Sequence, residues 1–319
     1  MGPSRGLCDP LWIGPLRLER RLFMAPLAGL TTPPFRRSVR RWGAGLVHTE
    51  MIAAAGLWYG NRRTLDYLAC GPDEHPIGFQ LFGANPSQLG TAVEACLRAG
   101  ADLIDLNMAC PVRKVVKTGA GAALLDDPER AISLVGCTVA AAAGIPVTVK
   151  LRAELRSGDR LGMRLAPRLA EAGAAAICLH PRSAAQLYAG VADHALTAEL
   201  AHALAIPVVA SGDVRTRADC ERLLADGAAA VMIARAALGH PWIFAEILHG
   251  DRPAREQQVE ELRRFALEAL AERGERAVGY LRQFWPRFRR AGVVDRAACL
   301  RLMAAQSTVT LFAELAALA

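Results

Sequence analysis

Short apolar runs recur through the first 233 residues, separated by Ala-, Leu- and Arg-rich stretches whose apolar positions repeat with a helical period. The runs lie at residues 22–25, 46–49, 77–82, 103–107, 147–150, 176–180, 207–211 and 230–233. Helices are expected between them, for example over 86–99, 128–143, 163–172 and 217–225. Several of these approach a strand through an Ala-Gly-Ala or Asp-Gly-Ala step at Gly100, Gly173 and Gly227, the usual glycine stop. Eight strands alternating with helices predict an α/β fold, a (β/α)8 TIM barrel. The competing doubly wound sheet lacks its G-x-G-x-x-G after the first strand. Ahead of the barrel, Leu11-Trp12-Ile13 and Leu16-Arg17-Leu18 flank Gly14-Pro15 as a small hairpin able to plug the barrel floor.

The alternation stops after Pro241-Trp242-Ile243-Phe244. Gly250-Asp251-Arg252-Pro253 reads as a linker, and from Glu256 the pattern is helical, with breaks expected at Gly274, Pro286 and Gly292. Two domains follow: a catalytic barrel over 1–248 and a helical domain over 254–319.

Composition narrows the class. With 319 residues, 52% apolar and 22% charged, the chain is a globular protein, and no apolar run is long enough to span a bilayer. Residues 1–10 lack the apolar core of a secretory signal. The eight cysteines are scattered without a C-x-x-C pair, which argues against zinc or disulfides and for a reducing cytoplasm. A cytoplasmic monomer with no metal and no membrane partner is expected. Only Lys114, Lys117 and Lys150 are lysines, against a strong arginine bias, so a lysine retained is a candidate for chemistry that needs a point charge. Between Arg273 and Arg301 eight arginines face only Glu275 and Asp295, which points to a polyanionic partner. Tyr280, Phe284, Trp285 and Phe288 lie among those arginines at spacings that suit a helical core.

In a barrel, polar residues at strand C-termini face the active site. Here they are Glu50, Gln80, Asn107 with Cys110, Lys150 with Arg152, His180 with Arg182, Ser211-Gly212-Asp213, and Ala234-Arg235. Cys110 stands between Ala109 and Pro111 beyond a strand end, as a placed thiol would. The glycine-lined stretch 119–125 reads as a helix start. A flavin suits the ring. Backbone N–H groups around Gly212-Asp213 and Ala234-Arg235 would take a phosphate, Gln80 the pyrimidine edge, and Lys150 the charge of a reduced ring.

Met24-Ala25-Pro26-Leu27-Ala28-Gly29-Leu30-Thr31, His48-Thr49-Glu50-Met51, Gln80-Leu81-Phe82-Gly83 and Asp105-Leu106-Asn107-Met108-Ala109-Cys110-Pro111 resemble the motifs of bacterial tRNA-dihydrouridine synthases. So do Val147–Arg152, His180-Pro181-Arg182-Ser183 and Ser211-Gly212-Asp213-Val214. The resemblance implies an FMN enzyme that reduces the C5–C6 bond of uridines in tRNA, with NADPH as electron source. It implies Cys110 as proton donor and FMN contacts from Pro26, Leu27, Ala28, Gln80, Lys150, His180, Ser211, Gly212, Asp213, Ala234 and Arg235. Asn107 and Arg152 would face the uracil, with Arg182 on the substrate side. The terminal helices would bind tRNA. Ala109, Ser211 and Ala234 stand where the family usually has Gly, Asn and Gly. The competing expectation is an FMN-dependent barrel dehydrogenase acting on a small pyrimidine, which leaves the basic tail without a role.

Overall fold

The computed structural model of the protein describes residues 6–318. The outermost residues of the two expected domains, 1–5 and 319, lie outside that range. The hairpin forms as β1 (Leu11–Ile13) and β2 (Leu16–Leu18), with Leu11 opposite Leu18. Its Leu11, Ile13 and Leu18 pack against Phe23, Leu103, Ala176, Val209 and Met232. Since those residues come from successive barrel strands, the hairpin closes the floor.

The apolar runs become β3 (Leu22–Met24), β4 (Val47–His48), a short β5 (Ile52–Ala53), β6 (Ile77–Phe82) and β7 (Leu103–Met108). They continue as β8 (Val147–Glu154), β9 (Ala176–Ser183), β10 (Val208–Ser211) and β11 (Ala230–Ile233). Apart from β5, which pairs with the end of β6, each strand lies beside its sequence neighbours and every pairing is parallel. A parallel bridge between Phe23 and Leu46 joins first strand to second and closes the barrel. Two strands run further than their apolar pattern. β8 continues through Arg152 and β9 through Arg182, so these polar residues sit in the ladder itself.

The connecting helices are α1 (Pro33–Arg41), α2 (Ala54–Trp58), α3 (Arg62–Leu65), α4 (Pro86–Arg98), α5 (Arg113–Val116) and α6 (Pro128–Ala141). Then come α7 (Leu161–Glu171), α8 (His194–Ala203), α9 (Arg217–Ala225) and α10 (Ile243–His249). The stretch expected to open a helix at 119–125 instead holds a 3-10 turn, Gly121–Asp126. Gly121 has φ +62° and backs onto Cys110, where a Cβ would lie 2.6 Å from the Cys110 carbonyl oxygen.

The remainder is helical: α11 (Arg255–Arg273), α12 (Arg276–Leu281), α13 (Trp285–Arg290), α14 (Arg296–Ala304) and α15 (Thr308–Ala316). The helical run breaks just ahead of Pro286, between Leu281 and Trp285, and Pro286 occupies the first turn of α13, where a missing N–H has no helical partner to lose. The tail aromatics are core: Phe284, Trp285 and Phe288 are buried, and the Phe265 and Phe284 rings meet edge-on at 4.8 Å. That core is shared with the barrel side. Phe35 of α1 contacts both Phe265 and Phe284, Ser38 donates to the buried Glu261, and Arg37 and Arg41 pair with Glu261, Glu268 and Glu272 of α11.

The loop after β11 makes the closest approach. Gly239 has φ +74°, and a Cβ there would stand 2.5 Å from the Arg287 carbonyl carbon and 2.6 Å from the Phe288 nitrogen, so the two backbones touch. Gly239→Ala should therefore cost about 2–4 kcal/mol from overpacking and backbone strain together. Gly250→Ala shares the positive φ but meets nothing within 4 Å, and should cost only about 1 kcal/mol. Denaturant midpoints of both variants test this, and equal losses would remove the close-packing account.

Candidate active site

A buried polar chain runs across the barrel beneath its C-terminal mouth. Thr148 Oγ1 donates to Asp105 Oδ1 at 2.7 Å, and Gln80 Nε2 donates to Asp105 Oδ2 at 2.6 Å. Asn107 Nδ2 donates to Gln80 Oε1 at 2.8 Å. Asn107 Oδ1 then accepts from the backbone N–H groups of Ala109 and Cys110, at 3.1 and 2.9 Å. Burial pushes the Asp105 carboxyl up, and the nearby His48, Gln80, Thr148 and Lys150 oppose the shift.

This chain decides how Cys110 is presented. Asn107 holds its N–H, while Ala122 donates to its carbonyl at 3.0 Å across the Gly121 approach. Arg152 Nε donates to the Ala109 carbonyl at 3.1 Å. The half-buried Cys110 thiol is free and has no hydrogen-bond partner among the described residues. Cys96, Cys178 and Cys220 are instead packed thiols, and burial pushes each up to about 12.

One strand over, beside Asn107 in the β7–β8 register, stands Lys150. It is 9% exposed, lines a cavity of about 390 Å3, and has no hydrogen bond or ion pair among the described residues. The same cavity is walled by Pro26 and Leu27, by His180 and Arg182, and by the loops holding Ser211–Asp213 and Ala234–Arg235. Gly212 has φ +121°, and a Cβ on it would come within 3.0 Å of the His180 ring, so only glycine leaves the space open. Ala234 keeps φ at −121°, and Ala109 is not among the positive-φ residues, so neither alanine occupies the left-handed region that favours glycine.

The ring divides into wall and frame. Ala28, Gln80, Asn107, Cys110 and Arg152 are not on the cavity wall. Gln80 and Asn107 use their amides within the buried chain. Arg152 also donates to the carbonyls of Ser183 and Leu187, at 2.7 and 2.8 Å, and thereby ties the Cys110 loop to the segment after β9. Arg182 donates to the Ala189 and Gly190 carbonyls and to Asp213 Oδ2 at 2.5 Å. These arginines are fasteners. Asp213 takes φ +52°, and its carboxylate also accepts from the Ala192 N–H. Burial alone would raise that carboxyl, but Arg182, the Ala192 N–H and Arg235 together hold it below the usual range.

Three features escaped the sequence pattern. The loop carrying Pro26–Ala28 is gripped from two sides: Glu50 accepts from the Gly29 N–H, and Gln283 of the helical region donates to the Gly29 carbonyl at 3.0 Å. Tyr188 lies under the guanidinium groups of Arg152 and Arg235, at 5.8 and 4.9 Å, and beside His180. Where α2 gives way to α3, Trp58 (47% exposed) and Tyr59 (76%) stand in the open with the exposed Arg62 and Arg63, neither of which has an acidic partner among the described residues. Exposed aromatics beside arginines on a barrel's catalytic rim are visible in the sequence only once that rim is known.

The family model described as "Dihydrouridine synthase (Dus)" matches residues 23–288. The chain is 39% identical over 238 residues to tRNA-dihydrouridine synthase B of Xanthomonas axonopodis pv. citri, covering 74% of this chain and 71% of that protein. It is 38% identical over 265 residues to tRNA-dihydrouridine synthase B of Pseudomonas aeruginosa, covering 82% and 79%. Among solved structures it resembles morphinone reductase in fold, with a TM-score of 0.59 at 14% identity over 80% of this chain and 93% of that one.

His180 provides a pH signature. Burial, then the charges of Lys150, Arg152, Arg182 and Arg235, drive its pKa from 6.5 down to about 2, so the folded ring stays neutral. Below pH 6.5 the unfolded chain takes up a proton that the folded chain refuses, so stability falls as pH falls. His180→Gln should flatten that decline by up to about 1.4 kcal/mol per pH unit between about pH 6 and about pH 4. Thermal denaturation across that range reads the slope, and an unchanged slope would mean that His180 titrates when folded.

Proposed function

The chain belongs to the dihydrouridine synthase family, and from that premise we propose that it reduces the C5–C6 bond of uridine in tRNA, using flavin mononucleotide and NADPH. The observation that carries this reading is that two unpartnered groups stand at the ends of neighbouring strands, Lys150 on β8 and Cys110 just past β7. The Lys150 ammonium is exposed to a cavity, and the Cys110 thiol is pinned by its backbone and free at sulfur.

The cavity suits an anionic cofactor. Lys150 supplies an uncompensated positive charge on its wall, and Gly212 leaves room at the loop where a phosphate would sit. Pro26, Leu27, His180, Ser211, Asp213, Ala234 and Arg235 bound the rest of that space. Gln80, Asn107 and Arg152 act as the frame behind it, while Arg182 stands on the wall with its guanidinium committed to Asp213 and the Ala189 and Gly190 carbonyls. When bound, flavin mononucleotide supplies hydride chemistry, renewed at the expense of NADPH.

The remaining steps belong to the protein. A uridine unstacked from the RNA enters the mouth. Cys110 gives its thiol proton to C5, so the residue must be a thiol when it acts. Asn107 and Arg152 keep the Cys110 loop from moving, through the N–H of Cys110 and the carbonyl of Ala109.

In this reading residues 1–248 do the chemistry and residues 254–319 hold the RNA. Arg276, Arg289 and Arg296 are exposed and have no acidic partner among the described residues, as phosphate contacts require. Trp58 and Tyr59, with Arg62 and Arg63, offer further stacking and charge.

Cys110→Ala should abolish dihydrouridine formation while flavin binding and flavin reduction by NADPH persist, because only the proton donor is lost. Mass spectrometry of treated tRNA beside anaerobic stopped-flow absorbance separates the two half-reactions, and undiminished product would refute the assignment. Binding of tRNA should weaken roughly tenfold or more between about 50 and about 200 mM salt, through release of counterions. A dehydrogenase for a free pyrimidine would instead show turnover insensitive to salt and no measurable tRNA binding in the same titration.

A further inference from the structure

We infer that Arg290, carried by α13 in the helical region, binds the phosphate of the flavin cofactor, so that the cofactor is clasped between barrel and helices. The inference rests on the flavin reading above and adds a ligand that the barrel does not contain.

The phosphate end of the cavity lies between Gly212–Arg215, after β10, and Ala234–Ala236, after β11. Arg215 and Arg235 come from those loops, and Arg290 reaches the same wall from the helical region. The local carboxylate is already in use. Asp213 accepts from Arg182 at 2.5 Å and from the Ala192 N–H at 3.0 Å, and it stands 3.5 Å from Arg235. Neither Arg215 nor Arg290 has an acidic partner among the described residues. Four guanidinium groups, of which Arg182 is committed to Asp213, and Lys150 therefore border one concave space with a single carboxylate. A phosphate monoester, close to doubly charged at neutral pH, balances that arrangement better than any other group a flavin presents.

The placement of Arg290 is not a matter of a loose side chain finding a cavity. α13 is held by the backbone contact between Gly239 and Arg287–Phe288, and Phe288 packs on Trp242 at 6.5 Å. Gly239 follows β11 by a few residues, so the contact that seats α13 lies next to the phosphate loop itself. The neighbouring Arg289 is exposed but does not line the cavity. Adjacent arginines on one short helix are thus split, with Arg290 turned to the cofactor and Arg289 left for RNA.

Flavin titrations by fluorescence quenching test this on the full-length protein stripped of bound flavin, comparing FMN with riboflavin. Arg290→Ala should weaken FMN roughly tenfold and riboflavin less than about twofold, because only FMN carries the phosphate. Arg290→Lys should recover part of the loss, and Arg289→Ala should leave FMN affinity unchanged. Unchanged FMN affinity in Arg290→Ala overturns the inference. So does an equal loss for both flavins, which would mark a distorted cavity, or a loss of tRNA affinity alone, which would make Arg290 an RNA contact. Wild-type protein that binds neither flavin would overturn the cofactor reading itself.

Discussion

Asp105 is a carboxylate placed in the middle of a closed barrel, and the site is built on the obligation to satisfy it. A buried charge without partners costs far more than the barrel's packing could offset. Its two oxygens take Thr148 and Gln80, Gln80 in turn takes Asn107, and Asn107 takes the backbone of Ala109 and Cys110. Cys110 is therefore positioned by a buried carboxyl group three side chains away. Weakening any member leaves a buried polar group unpaired, which makes the chain cooperative and the thiol's position well defined.

The basic residues around the mouth divide by what their donors already hold. Arg152 and Arg182 have buried guanidinium groups bonded to carbonyls of the segment after β9 and, for Arg182, to Asp213. Planar, multivalent arginine suits fastening of this kind. Lys150 is different: compact and nearly buried, it has no hydrogen bond or ion pair among the described residues and faces the cavity. A chain with 38 basic residues and only three lysines uses one of them at this point.

The helical region is joined to the barrel too intimately to act as a tethered RNA handle. Phe35 packs against both Phe265 and Phe284, Gln283 supports the Gly29 carbonyl, and Tyr280 hydrogen-bonds Thr32 at 2.6 Å. These contacts fix the loop that holds Pro26 and Leu27 at the cavity wall. The helical region and the cavity thus lean on the same short loop.

The order of the strands, the hairpin plug, the helical tail and the candidacy of Cys110 and Lys150 were all legible in the chain, because each rests on local signals. Periods of two and 3.6 residues, glycine stops and a rare residue type survive reading in one dimension. The division between wall and frame was not legible. Gln80, Asn107, Arg152 and Arg182 occupy strand ends just as Lys150 and His180 do, and only cross-strand hydrogen bonds show that their polar groups are already spent. Arg290 was equally hidden among eight arginines of one segment. What separates it from Arg289 is a backbone contact at Gly239, some fifty residues away in sequence and formed only when barrel and helices pack. Local periodicity settled the architecture, while competition for hydrogen-bond partners in three dimensions decided which residues remain free to act.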